Sequence, residues 1–198
     1  MQPPPSPADT RQGVVQAWFG THFAQLHPAL QALHFHGGQL EGPVQITLGK
    51  GLAGWLGTRF ARRLGIPFPA PGQRLTVDIH SDADGLHWGR RFAGGHHFDS
   101  VFTPVGQFPD GHWIEHSGRM RLALGVTLQD GAWHWQPRRA WLGRWPLPMA
   151  LMPRMQAHKA VDGKHYRFLV RVCLPLIGML LSYTGQLQIV PTGAETSA

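Results

Sequence analysis

Met120-Arg121-Leu122-Ala123-Leu124-Gly125-Val126-Thr127-Leu128 runs directly into Gln129-Asp130-Gly131-Ala132-Trp133-His134-Trp135, and this stretch decides the fold. Met120, Leu122, Leu124, Val126 and Leu128 recur at every second residue, the period of a strand with one buried face. Asp130-Gly131 is a hairpin dipeptide, because the favoured two-residue turn needs positive φ at both central positions. The chain therefore folds straight back, and Trp133 and Trp135 fall on one face of the returning strand.

The same period extends outward in both directions. Downstream, Asp162-Gly163 is a second hairpin signal between residues 154–161 and 164–174, and residues 175–178 turn the chain into 179–190. Upstream, Leu75, Val77 and Ile79 alternate with polar neighbours, and Leu86, Trp88, Arg90 and Phe92 share one strand face. Val44, Ile46 and Leu48 mark an earlier strand, and residues 112–116 another. About seven to nine strands with hairpin links form a sheet that curls or closes. The Pro-rich segment 146–153 reads as an irregular lip.

Toward the N-terminus the period changes. Val15, Trp18, Phe23, Leu26, Leu30 and Leu33 are spaced as one helical face, with Pro28 restarting the helix. Leu52, Leu56, Phe60 and Leu64 lie on one helical arc with Ala53, bordered by Trp55, Arg59 and Arg62, and Gly65-Ile66-Pro67 ends that helix. The expected fold is α+β: a strongly curved or barrel-like antiparallel sheet with N-terminal helices packed on it.

At 198 residues the chain suits one domain, expected over 13–190 between disordered segments 1–12 and 191–198. Cys173 is the single cysteine, so no internal disulfide exists and a cytoplasmic, reducing compartment is expected. Residues 1–9 are rich in proline and lack the basic start and apolar stretch of a signal peptide. The longest apolar run, 172–181, is interrupted by Pro175 and falls short of the roughly 20 residues of a membrane span. The net charge of +7 is spread along the chain without a basic run, so nucleic acid is not expected as a partner.

Chemistry-bearing residues are few. Arg90 shares its face with apolar residues, so it points wherever they point, and Glu115 on a nearby strand is its candidate partner. The pair reads either as the head-group site of a pocket or as a structural ion pair. His34-Phe35-His36, read as strand, offers two imidazoles on one face, and His96-His97-Phe98-Asp99 offers three ligands in a turn. Neither reproduces a zinc spacing, so no metal is expected. Ser100, Ser117, Ser182 and Cys173 are candidate nucleophiles, but none sits in a Gly-x-Ser-x-Gly elbow. No catalytic set is assigned. Trp133, Trp135, Trp141 and Trp145 lie close together and suit an aromatic-lined ligand site or a filled core.

Several phrases carry a family resemblance. They are Leu26-His27-Pro28 with Leu33-His34, Trp88-Gly89-Arg90-Arg91-Phe92, Phe98-Asp99-Ser100, Glu115-His116-Ser117-Gly118, Pro146-Leu147-Pro148, and Leu174-Pro175 leading to Gly178 and Tyr183-Thr184-Gly185. In this order they resemble the bacterial family called domain of unknown function 4166, over about residues 23–190. The resemblance implies a domain that stands alone or accompanies Rossmann-type oxidoreductases. No Gly-x-Gly-x-x-Gly follows a strand here, so no dinucleotide half and no cofactor are expected in this chain.

The leading expectation is a non-catalytic module holding a small hydrophobic or amphipathic ligand, with Trp88, Arg90, Phe92, Glu115, Trp133 and Trp135 as its site. One alternative is a small enzyme, or accessory subunit of a Rossmann-type oxidoreductase, using Glu115 and a nearby histidine. Another is a peripheral membrane or protein-interaction domain that exposes the 52–64 arc.

Overall fold

A computed structural model describes residues 13–148, 153–162 and 165–190. The segments 1–12 and 191–198 lie outside the described residues, as do the centre of the 146–153 lip and Gly163 of the second hairpin signal. The chain begins with α1 (Val14–Phe19), a 3-10 turn (Gly20–Gln25) and α2 (Pro28–His36). It then forms β1 (Gly38–Leu48), α3 (Gly51–Leu64), β2 (Arg74–Ser81), β3 (Leu86–Phe92) and β4 (His97–Val105). β5 (His112–Ser117), β6 (Met120–Gln129), β7 (Ala132–Leu142) and the short β8 (Trp145–Pro146) follow. β9 (Arg154–Asp162), β10 (His165–Leu174) and β11 (Gly178–Val190) complete the described chain.

From β1 to β8 each strand pairs antiparallel with the next, as do β9, β10 and β11, while β7 also pairs with β9 and β1 closes on β11. The result is a closed up-and-down barrel of 10 strands, with β8 outside the ring against β7. This is more than the about seven to nine strands expected. β4 was hidden because its histidines at 96 and 97 read as a turn, whereas the turn ends at His96 and the strand begins at His97. The deciding hairpin forms as expected: Asp130 and Gly131 have φ of 51° and 74°, and Met120 to Gln129 pair with Leu142 to Ala132.

The N-terminal helices plug one end of the barrel. The face expected to be a restarted helix is broken into α1, the 3-10 turn and α2. His27 caps α2 by accepting the Ala29 N–H on Nδ1 at 3.2 Å, with Pro28 in the first turn. His34 and His36 lie in this helix and not on a strand, which corrects their expected pairing on one strand face. Trp18 packs on Trp113 with ring centres 5.2 Å apart, and Phe19 packs edge-on to Trp133 at 4.9 Å. The His27 N–H bonds the Gly131 carbonyl at 3.0 Å, which ties the plug to the β6–β7 turn.

α3 sits at the opposite end, against β11. Its fully buried face is Ala53, Gly57 and Ala61, and of the expected arc Leu56, Phe60 and Leu64 pack half-buried against the core. A side chain at Gly57 would collide with the Leu180 carbonyl, so the stripe of small residues lets the helix backbone lie directly on the strand. Leu52 is left 62% exposed and Trp55 is exposed beside it, while Phe60 and Leu64 turn toward the barrel interior. Among the described residues no helix is long and apolar enough to cross a membrane.

Candidate functional site

The alternation of β3 aims Leu86, Arg90 and Phe92 into the barrel wall, with Trp88 half-buried on the same face. β4 lies between β3 and β5, with Ser100 opposite Trp88 and Phe102 opposite Glu115. Ser100 is thereby placed between Arg90 and Glu115. Arg90 donates from Nη1 to Ser100 Oγ at 3.1 Å, and Ser100 donates to Glu115 Oε1 at 2.8 Å. Ser117 adds a hydrogen bond to the same carboxylate oxygen at 3.3 Å. The expected partnership of Arg90 and Glu115 is thus relayed through a hydroxyl. The guanidinium also lies over Phe98 and Trp88, 4.7 and 5.2 Å from the ring centres. No carboxylate forms a direct ion pair with it among the described residues.

A second polar group faces the first across the interior. Lys159 on β9 is only 2% exposed, and its Nζ lies 2.8 Å from His34 Nε2. The ammonium position is 3.5 Å from the Trp133 ring centre and 4.6 Å from that of Trp88. Burial, and then the charge of Arg90, holds the Lys159 pKa well below the usual lysine range. Burial, and then Lys159, holds His34 well below the usual imidazole range. A tryptophan face favours a cation by about 0.5–2 kcal/mol, but desolvating an ion costs several kcal/mol. Desolvation is the larger effect, and it disfavours the charged form of Lys159. Tyr166 and Tyr183, also buried here, have their phenol pKa values raised chiefly by burial.

Arg90, Glu115, Ser117, His158, Lys159, Tyr166 and Tyr183 border a cavity of about 120 Å³ whose wall is otherwise apolar, including Leu40, Leu75, Val77, Phe102, Trp135 and Leu181; His34 and Ser100 do not border it. Phe60, Leu64, Phe98, Ser117 and Met120 border both this cavity and an outer cleft of about 440 Å³ at the α3 end. Arg63, His97, Asp99 and Arg119 line that cleft.

Of the residues expected at the site, Trp88, Arg90, Glu115 and Trp135 line the cavity. Phe92 and Trp133 are buried but do not border it. Phe92 sits opposite Leu75 near the end of β3, and Trp133 is wedged between Lys159 and the helical plug. Trp141 lies on β7 and Trp145 on β8, not in a loop, and Trp145 is exposed. The hydrogen bonds of Glu115 go to Ser100 and Ser117, with no histidine bonded to it among the described residues. Lys159 was missed, although Met155, Ala157 and Val161 alternate around it just as apolar residues surround Arg90. Nor did the sequence bring together His80, Asp82 and His87 at the β2–β3 turn, whose ligand-type atoms lie within 4.8 Å of one another.

No curated protein matches the chain. Among solved structures it is similar to Echinococcus granulosus fatty-acid-binding protein 1, at 10% identity and a TM-score of 0.35, over 78% of this chain and 96% of that one. A likeness so loose carries no argument about function. Residues 26–187, nearly the whole barrel and the second helix of its plug, match the family described as Domain of unknown function (DUF4166), and the chain belongs to that family.

Proposed function

We propose that the protein is a non-catalytic binding module that holds a small amphipathic ligand inside the barrel, acidic head toward Arg90 and apolar body among Trp88, Phe102 and Trp135. The observation that carries this reading is an apolar cavity with one buried guanidinium whose only hydrogen-bond partner among the described residues is a serine hydroxyl. A guanidinium has five N–H donors, so most remain for a carboxylate, which Arg binds bidentately. Glu115, held by Ser100 and Ser117, offsets the arginine charge and orients the head group. Ligand pockets commonly measure about 300–1,000 Å³, and this cavity is about 120 Å³. A short chain or a single ring suits it better than a long acyl chain.

The test is native against denaturing mass spectrometry of the purified protein, with a solvent extract of the same sample and calorimetry with octanoate. A retained mass matched by an extracted acid, or octanoate binding, supports the reading. The Arg90→Gln/Glu115→Gln double variant removes both charges together, so neither is left stranded. It is expected to keep the circular dichroism of the wild type and to lose octanoate affinity tenfold or more. A bare mass with no octanoate binding would overturn the proposal.

A further inference from the structure

Lys159 is not needed to balance the charges of the interior, since Arg90 and Glu115 already offset each other through Ser100. It has no carboxylate partner among the described residues, borders the cavity, and contacts His34 Nε2 at 2.8 Å. A buried amine without a counter-ion is an expensive way to fill a barrel wall, where Leu or Met would serve. We propose that Lys159 is a nucleophile that captures aldehydes with an apolar tail as an imine inside the barrel, with His34 carrying the proton. The inference rests on the preceding reading in that an apolar ligand must enter the cavity.

The chemistry needs no co-reactant. With the proton of His34 on Nδ1, Nε2 accepts a hydrogen bond from the amine and leaves the nitrogen lone pair free. That lone pair attacks the carbonyl carbon, a C–N bond forms, and the C=O π electrons move to oxygen. The nitrogen gives a proton to His34 Nε2, which passes it to the oxygen, so the product is a carbinolamine. The nitrogen lone pair then closes the C=N bond as the C–O bond breaks, and the remaining N–H proton passes through His34 Nε2 to the departing oxygen, which leaves as water. In sum, aldehyde and amine become imine and water, with no change of oxidation state. The burial that disfavours the charged amine also keeps bulk water from the imine. His34 Nδ1 has no hydrogen-bond partner among the described residues, so the ring is not committed to another network.

Octanal is the probe, with octanol as its unreactive counterpart. Protein incubated with octanal is reduced with sodium borohydride, and the alkylated lysines are mapped by peptide mass spectrometry. Octanol binding is measured in parallel by calorimetry. The exposed Lys50 is the internal control. At pH 7.5, Lys159 is expected to label at least tenfold faster than Lys50, and octanol to slow it by competition. Labelling of Lys159 should rise by less than the roughly tenfold per pH unit expected of a free amine, because burial disfavours its charged form. Lys159→Met should keep octanol binding and lose the adduct, and His34→Gln should slow its formation at least tenfold. Octanol binding with no adduct at Lys159, or with Lys50 labelled as fast, would overturn this inference and leave the binding-module reading standing. If neither octanol nor octanal enters the barrel, both fall together.

Discussion

Lys159 and Ser100 are both buried, and each has its polar contacts inside the barrel. Because burial lowers the native pKa of Lys159, the unfolded chain binds a proton that the native one does not, from that lowered value up to about 10.4. Stability should therefore rise with pH through this window, by at most about 1.4 kcal/mol per unit for one proton. Lys159→Met is expected to flatten the rise, with stability at pH 7.5 no lower than that of the wild type, as read by urea denaturation between pH 7.5 and 9.5. Above that range Tyr166 and Tyr183 act the other way, since their raised pKa values let only the unfolded phenols ionise. An unchanged slope in the variant would show that Lys159 is charged in the native state. Ser100→Ala removes the hydroxyl that links Arg90 to Glu115 and leaves both without their shared partner. The expected cost is about 1–3 kcal/mol, again from denaturant midpoints, and Ser100→Thr should recover part of it.

Among the elements, α3 shows how packing overrides propensity. Alanine favours a helix over glycine by about 1 kcal/mol, so Gly57→Ala would stabilise an isolated α3. Here the added methyl meets the Leu180 carbonyl on β11, and the helix must lift from the strand. Gly57→Ala is expected to lower stability by about 1–3 kcal/mol, whereas Leu52→Ser on the exposed side should stay within about 0.5 kcal/mol. Melting temperatures of the two variants decide the matter, and a neutral Gly57→Ala would mean the helix is not seated on β11. Since Phe60 and Leu64 border both the cavity and its outer cleft, the displaced helix should also widen the entrance.

For the whole molecule, the strength of the barrel varies around its circumference. β1 and β11 pair across much of their length, from Gln39 and Val190 to Leu48 and Leu181. Among the described residues, β7 and β9 pair only at Trp133–Lys159, His134–His158 and Trp135–Ala157. Pro137, two residues beyond, has no N–H to extend that ladder. In hydrogen exchange, the amides of β9 that face β7 should exchange sooner than those joining β1 to β11. Uniform protection around the ring would contradict a weak seam. The seam is also where Lys159 enters the wall, so opening there would expose the amine.

By itself, the sequence determined most of the strands, the Asp130-Gly131 hairpin and the face that Arg90 shares with its apolar neighbours, because each follows from local spacing or turn chemistry. Alternation put Leu86, Arg90 and Phe92 on one face whatever lay opposite, and Asp130-Gly131 specified its turn without outside help. The family phrases were legible too, from Leu26-His27-Pro28 to Tyr183-Thr184-Gly185. Tertiary structure alone decided that the sheet closes, since the pairing of β1 with β11 joins residues far apart in the chain. It also decided which face of α3 is buried, because a stripe of Ala53, Gly57 and Ala61 gains its value only from the strand beneath it. The meeting of Lys159 with His34 spans 125 positions and joins a strand to the helical plug. No local period encodes such a contact; it follows from barrel closure and from the plug that fills one end.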